Sequence, residues 1–263
     1  KEKEMRVERP HGHILMSGNN VKLGENVITT TSYMYGIFNS HIVVGNTNFN
    51  KMMSNARSAL NIAKSSGQRI YVEMDGIFHL LTMPSLFEMG FNYVRWYYKT
   101  DQDTLIVTNY TTLDTPEIRL HVKSEKGIAY RYLITNQITM NVNEYELPAR
   151  VTEQNGELRI KANTDSLSAK EYPNLEYRMS VSGAGVKVGD ETRLASGVNS
   201  GDGSIFTLQL GSTAEWTMTI QGLLEGESVV LSTRSFEEEV DAYRAFYAKV
   251  MNGFHLSRPG KPN

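Results

Sequence analysis

Alternation of apolar and polar residues dominates the middle of the chain. Ile118, Leu120 and Val122 are interleaved with Glu117, Arg119, His121 and Lys123, and Leu158, Ile160 and Ala162 with Glu157, Arg159 and Lys161. The same period of two runs through Leu175, Tyr177, Met179 and Val181 against Glu176, Arg178 and Ser180. It returns in Ala214, Trp216, Met218 and Ile220 against Glu215, Thr217, Thr219 and Gln221. Successive strand side chains point to opposite faces, so these runs predict strands with one face on a core and one in water. Asp75-Gly76 and Asn155-Gly156 predict two-residue hairpins, because a type I′ turn needs positive φ at both central positions. Asp202-Gly203 is a third candidate. A turn at Asp75-Gly76 sets Val72 opposite His79, Met74 opposite Ile77 and Ile70 opposite Leu81. Short strands in close succession without intervening helices predict an all-β fold, a large antiparallel sandwich.

Two stretches carry a helical period instead. Lys51 to Lys64 predicts one short internal helix, with Asn50 as its cap and Met52, Ala56, Ala59, Leu60 and Ala63 turned inward. Ser235-Phe236-Glu237-Glu238 has the S-x-x-E form of a capping box, and Phe236, Val240, Tyr243, Tyr247 and Val250 then form one apolar stripe. Gly253 is placed to end this C-terminal helix, and Pro259-Gly260-Lys261-Pro262 forms a tail. A greasy stripe must be buried, and the expectation is that it docks on another part of a longer protein. The chain then reads as a sandwich domain over residues 1–234 followed by a linker helix and tail over 235–263. On that reading, removing 235–263 costs the sandwich little. Ser196 to Ser204 is low in complexity and predicts a mobile loop.

Composition narrows the class. With 263 residues the chain can bury a sizeable core, as one large β domain or two smaller ones. Its 27 Lys+Arg against 29 Asp+Glu give a formal net charge of -2, which argues against a nucleic-acid or acidic-membrane partner. No stretch approaches the roughly 20 apolar residues of a membrane span, and Lys1 to Pro10 is charged, without the apolar segment of a secretion signal. Cysteine is absent, which excludes disulfides and Cys-based metal sites or nucleophiles and fits a reducing cytoplasm.

Candidate chemistry is sparse. His11 and His13 could share a metal but lack a third ligand and read as part of a solvated terminal segment, so no metal or cofactor is expected. His79 falls on the mostly apolar face of its hairpin, as a hydrogen-bonded core histidine or a catalytic one. No G-x-S-x-G, H-E-x-x-H, P-loop or dinucleotide motif is present. Glu237-Glu238-Glu239 complements the dipole of the last helix and needs no catalytic role. Two segments are richer in polar and aromatic groups than folding requires. One is Phe38-Asn39-Ser40-His41-Ile42-Val43-Val44-Gly45-Asn46-Thr47-Asn48-Phe49-Asn50, leading to Asn55 and Arg57. Its amides can read sugar hydroxyls, since each both donates and accepts, or can serve turns and a helix cap. The other, Tyr93-Val94-Arg95-Trp96-Tyr97-Tyr98, is a strand with aromatics on both faces, suited to stacking on a pyranose or to core packing around Trp96.

These residues carry a family resemblance. Glu25-Asn26-Val27-Ile28-Thr29-Thr30-Thr31-Ser32-Tyr33-Met34-Tyr35-Gly36-Ile37-Phe38-Asn39-Ser40-His41, then Val43 to Asn50, resembles the N-terminal region of cellobiose-phosphorylase-like proteins (glycoside hydrolase family 94). Within that group it is similar to the 1,2-β-oligoglucan phosphorylases. Ser66-Gly67-Gln68-Arg69-Ile70-Tyr71 and Pro84-Ser85-Leu86-Phe87-Glu88-Met89-Gly90 extend the similarity. The resemblance implies a β-supersandwich, a helical linker and then a catalytic (α/α)-barrel that this sequence does not reach. It assigns no catalytic residue here. It implies a domain that packs on its barrel, supports a homodimer and lends an active-site wall to an enzyme acting on β-glucan oligosaccharides with inorganic phosphate. His41, Asn46, Asn48 and Arg57 are the substrate-binding candidates on that wall.

Two readings of other classes stand beside it. An aldose 1-epimerase needs a histidine acid and a carboxylate base on one face, for which His79 or His41 and Glu73 or Glu88 are available. The hairpin register, however, puts Glu73 opposite Phe78, away from His79. A freestanding carbohydrate-binding module is the other.

Overall fold

The computed structural model describes residues 12–18, 26–45, 47, 49, 51–52, 67–142, 147–194, 205–227 and 230–251. The strands are β1 (Gly12–Met16), β2 (Ile28–Tyr33), β3 (Val43–Val44), β4 (Gly67–Met74), β5 (Ile77–Leu80), β6 (Leu86–Met89), β7 (Tyr93–Lys99) and β8 (Thr104–Thr111). They continue with β9 (Glu117–Ser124), β10 (Tyr130–Gln137), β11 (Arg150–Gln154), β12 (Glu157–Lys161), β13 (Glu176–Ser182), β14 (Val186–Asp190), β15 (Ile205–Thr213) and β16 (Glu215–Leu223). Helix α1 spans Leu167–Glu171 and α2 spans Phe236–Val250. All strand pairs are antiparallel and form three sheets: β11-β12-β13-β16-β9-β8-β7-β6, β14-β15-β10-β4-β5 and β1-β2-β3. This is the all-β sandwich that the alternation predicts.

The four alternating runs all lie in the eight-stranded sheet, and their apolar members face inward. Ile118, Leu120 and Val122 are fully buried, as are Ile160, Tyr177, Met179, Met218 and Ile220. The five-stranded sheet supplies the opposing layer with Ile70, Val72, Tyr132, Ile134 and Leu208, and Tyr132 meets Trp216 edge-on at 5.6 Å. The three-stranded sheet packs beside it on the same inner face: Val44 N–H donates to Tyr177 Oη at 2.9 Å, and Phe38 meets Trp96 edge-on at 4.8 Å. Trp96 is therefore a core residue.

A buried polar seam lies where the three sheets converge. Asn39 donates to Gln68 Oε1 at 3.0 Å and accepts from Thr30 and Asn109, each at 2.9 Å. Gln68 in turn donates to Asn136 Oδ1 at 2.9 Å and to Met218 Sδ at 3.1 Å. These groups come from β2, β4, β8, β10, β16 and the loop after β2, and Thr30, Asn39, Gln68, Asn109 and Asn136 are all fully buried. Backbone bonds stitch the same place, Phe38 N–H to Gln68 O and Gln68 N–H to Asn39 O. Gly67 has φ +77, and a Cβ there would stand 2.7 Å from Ile37 Cγ2, so only glycine fits this crossing.

The predicted turns hold where they are described. Asp75 and Gly76 have φ 52 and 77, Asn155 and Gly156 have φ 55 and 78. Val72 pairs with His79 and Met74 with Ile77, and Leu81 N–H bonds Ile70 O. Asp202-Gly203, the low-complexity stretch 196–204 and Gly253 lie outside the described residues. Three expectations need correction. Lys51 forms an isolated bridge with Val43, and Met52 N–H bonds Ile42 O, so the chain there is extended rather than a helix start. The rest of that predicted helix lies outside the described residues, and the short internal helix that is described, α1, is capped by Ser166 at 166–171. His79 has the predicted partner but is exposed, because β5 is an edge strand and the inner layer runs out beside it. His13 is half-buried in β1 with Nε2 3.2 Å from Gly90 O, so it is not a solvated terminal residue.

Two outcomes follow for stability. Asn39→Ala leaves Gln68 Oε1 and the Thr30 hydroxyl without their partner and removes one of the three acceptors of Asn109, and should lower unfolding free energy by about 1–3 kcal/mol in urea titration. Asp103 is the second case. Burial would push its carboxyl up, but Ser124 Oγ at 2.6 Å and the Thr104 and Lys126 amides at 2.7 and 3.1 Å outweigh that and hold it below 3.8. A depressed folded-state value means this contribution is complete above about pH 4 and is lost as the pH falls through the folded value. Asp103→Asn should therefore flatten the acid limb of the melting-temperature profile and leave its slope near neutrality unchanged.

Candidate functional site

The outer face of the eight-stranded sheet is built from the polar halves of the alternating runs. On β7, Val94 and Trp96 point inward, so Tyr93, Arg95 and Tyr97 point out. Pairing sets Glu88 of β6 opposite Arg95, and the group is mutually fixed. Tyr93 donates to Glu88 Oε1 at 2.7 Å and Tyr97 donates to Oε2 at 3.0 Å. Arg95 donates through Nε to Thr108 Oγ1 at 3.0 Å and through Nη1 to Tyr97 Oη at 3.3 Å, with Glu88 Oε2 3.6 Å away. Its guanidinium also sits 4.8 Å from the centroid of the Phe236 ring in the first turn of α2. The bond to Glu88, aided by burial, pushes the Tyr93 phenol above its ordinary range.

Helix α2 is docked on this same sheet. The capping box is present in both directions, Glu238 N–H to Ser235 Oγ at 3.2 Å and Ser235 N–H to Glu238 Oε2 at 2.7 Å. Phe236 packs edge-on against Tyr93 and Tyr110, each at 5.2 Å, and Tyr247 stacks on Phe91 at 4.8 Å. Tyr243 is buried and donates to Met16 O at 2.7 Å, and its burial pushes the phenol up. The expectation that the stripe docks elsewhere is thus overturned for the helix's first three turns, which lie on the sandwich itself.

Two buried carboxylates fasten the segment that enters α2. Glu239 accepts from Leu113 N–H at 2.9 Å and Ser232 Oγ at 2.6 Å, and Arg234 bridges it to Asp114. Glu117 accepts from Ser232 N–H at 2.7 Å and from Arg119 at 2.9 Å, while Arg119 also donates to Ser232 O. Burial alone would lower the Arg119 guanidinium, but Glu117 beside it raises it above its ordinary value. Sequence reading assigned Glu239 only to the helix dipole. Its partners are strand-end and loop groups from residues 113–114 and 232–234, which no local spacing reveals.

Of the proposed substrate-binding residues, Asn46, Asn48 and Arg57 lie outside the described residues, whereas His41 is described and half-buried. Within the same segment Asn39 belongs to the buried seam, which assigns that amide to the fold. The acid–base pairs suggested for an epimerase are not assembled from His79: Glu73 is paired with Arg131 on the opposite side of the hairpin, and Glu88 is held by tyrosines. The structure instead joins His121 to Glu215 at 2.7 Å, an exposed diagonal pair between β9 and β16. Among the described residues no cluster of three metal-ligating side chains occurs, and no helix is long and apolar enough to cross a membrane.

The docked helix makes a direct forecast. Tyr243→Ala removes a buried ring and its bonds to β1 and β8, and should cost about 3–5 kcal/mol, the range of large aromatic truncations. Ending the chain at residue 234 should lower the melting temperature by several degrees and increase dye binding to newly uncovered apolar surface. A truncated chain as stable as the full one would mean the helix contributes nothing to the sandwich.

Comparison with known proteins agrees with this architecture. The family described as "Glycoside phosphorylase supersandwich domain" matches residues 1–222. A 1,2-beta-oligoglucan phosphorylase of Listeria innocua serovar 6a is 37% identical over 258 residues, covering 98% of this chain and 23% of that protein. The chain therefore spans about a quarter of the length of that curated relative. Among solved structures, a bacterial glucoamylase complexed with acarbose aligns over 90% of this chain and 36% of its own, with a TM-score of 0.56 at 12% identity, a likeness of fold alone. By its matched residues, and by its identity to a phosphorylase over nearly its whole length, the chain belongs to the glycoside phosphorylase supersandwich domain family.

Proposed function

We propose that this chain is the non-catalytic, N-terminal sandwich of an inverting β-glucan phosphorylase, a cytoplasmic enzyme whose active centre lies in the rest of the parent protein. The observation that carries this reading is the 37% identity to a 1,2-beta-oligoglucan phosphorylase across 98% of the chain, combined with coverage of only 23% of that relative. In the full reaction one carboxylic acid protonates the leaving glycosidic oxygen while inorganic phosphate takes the place of the activated water of an inverting hydrolase, releasing a sugar 1-phosphate. The acid and the phosphate site belong to a barrel that follows the linker formed by residues 235–263. The sandwich supports a homodimer and walls the active site, with His41, Asn46, Asn48 and Arg57 as the candidates for binding the glucan.

Surface character supports packing against another domain. The two edges of the eight-stranded sheet differ: β11 carries Arg150, Thr152, Glu153 and Gln154, whereas β6 reads Leu86-Phe87-Glu88-Met89 and its carboxylate is tied to Tyr93 and Tyr97. Met83, Leu86, Met89 and Phe91, in or next to β6, are all 43–57% exposed. Proteins usually blunt a free edge with charge, and a concentration of exposed apolar side chains marks a contact surface.

The test is phosphorolysis. The 263-residue chain should release no glucose 1-phosphate from 1,2-β-glucan oligomers and should not speed mutarotation of glucose above the buffer blank. The parent-length enzyme should release it, and Arg57→Ala in that enzyme should reduce turnover while the same change leaves the melting temperature of the isolated chain within about a degree. Phosphorolysis by the isolated chain, or none by the parent, overturns the reading.

A further inference from the structure

Between the first turn of α2 and the sheet lies a groove of about 450 Å³, within the range of small-ligand sites. Its floor is one unbroken cross-strand row of outward side chains, Arg95, Thr108, His121 and Thr217, on β7, β8, β9 and β16. Neighbouring strands stand ~4.8 Å apart, so hydrogen-bonding groups repeat at a spacing comparable with one pyranose ring. The flanking row contributes Lys123 and Glu215. Phe236 forms an aromatic end wall.

Three features separate this groove from an ordinary wet sheet face. Its groups are held in place before any ligand arrives: Arg95 by Thr108, Tyr97 and the Phe236 ring, and His121 by Glu215. Charge is matched, since Arg95 is answered by Glu88, and Lys123 lies across from Glu215. A phosphate or an acidic chain therefore finds little net attraction. Finally, the polar row is flanked by aromatic and aliphatic surface, with Tyr110 on one side of Thr108 and Ile106 on the other along β8. A guanidinium carries five N–H donors, so Arg95 keeps donors beyond those given to Thr108 and Tyr97.

We infer that this groove is a carbohydrate-binding site, distinct from the candidate wall residues His41 to Arg57, that holds a short stretch of neutral oligosaccharide along the Arg95–Thr217 row. Pre-positioned polar groups lower the ordering cost of binding, and hydroxyl-rich, uncharged ligands suit a lining with both donors and acceptors. The choice of a β-glucan as the saccharide rests on the function proposed above.

The site is tested by titrating the 263-residue chain with a 1,2-β-linked glucose tetramer and following both calorimetric heat and saturation transfer to the sugar. Binding in the millimolar range is expected, weakened at least fivefold by Arg95→Ala and two- to threefold by Thr217→Val. Lys187→Ala, on the other sheet, should leave it unchanged. Because Arg95 also touches α2, melting temperatures are measured in parallel, and Thr217→Val, three strands from Arg95 along the row, carries the test if Arg95→Ala loosens the fold. Absence of binding overturns the inference, as does binding that survives both substitutions. Binding of a maltotetraose equal to that of the β-linked tetramer supports a saccharide site and removes the β-glucan assignment. A parent enzyme that phosphorolyses glucan while the chain binds no sugar refutes this groove alone. A chain that binds while its parent has no phosphorylase activity refutes the proposed function and leaves the groove standing.

Discussion

The fold depends on a buried polar seam. One eight-stranded sheet is opposed by two smaller sheets rather than one, and where those two meet, regular pleats cannot interlock with apolar side chains alone. At the junction Asn39 and Gln68 each donate and accept at once, Thr30 and Asn109 donate to Asn39, and Asn136 accepts from Gln68. Each such bond contributes little net stability, about 1 kcal/mol, but a lost partner leaves a buried dipole that costs more. The seam therefore acts chiefly on uniqueness: a different angle or register of the smaller sheets would break the chain of bonds that runs from Thr30 and Asn109 through Asn39 and Gln68 to Asn136.

From that rigid frame the second constraint follows. The segment after β16 must cross the outer face before α2 begins, and the two buried carboxylates Glu117 and Glu239 fix it by accepting from Ser232, Leu113 and the guanidinium groups of Arg119 and Arg234. A buried carboxylate is tolerated only when its lone pairs are used, and these are. The helix is thereby set at a defined place on the sheet, with Tyr243 inserted beside β1 and β8. A chain element that leaves a domain from such an anchor transmits the domain's orientation to whatever it is joined to.

Strand identity, inward faces and the Asp75-Gly76 register were all legible in the sequence, because each rests on local periodicity or on one turn. His79 was misread through the same logic: alternation tells which face a residue is on, and not whether the opposing layer extends that far. Lys51 carried helical spacing, yet a single bridge to Val43 overrode it. The seam could not be read at all, since its members are separated by up to 150 positions, as Gln68 and Met218 are. The Arg95 groove was half visible: the aromatic strand stood out, but its alignment with Thr108, His121 and Thr217 exists only once four strands are in register. Family membership was legible in residues 25–50 and 66–90, which carry the resemblance.

The arrangement of surfaces ties these observations together. β6 and β7 are neighbours, so the apolar edge at Leu86 and Met89 and the polar row starting at Arg95 lie side by side, with Glu88 belonging to both. Glu88 is withheld from the edge by Tyr93 and Tyr97, which leaves the edge apolar, and Tyr97 so held accepts in turn from Arg95 of the groove. One carboxylate thus sets the character of two adjacent surfaces. Replacing it would not act on the edge alone; it would take the acceptor from both tyrosines and the countercharge from Arg95.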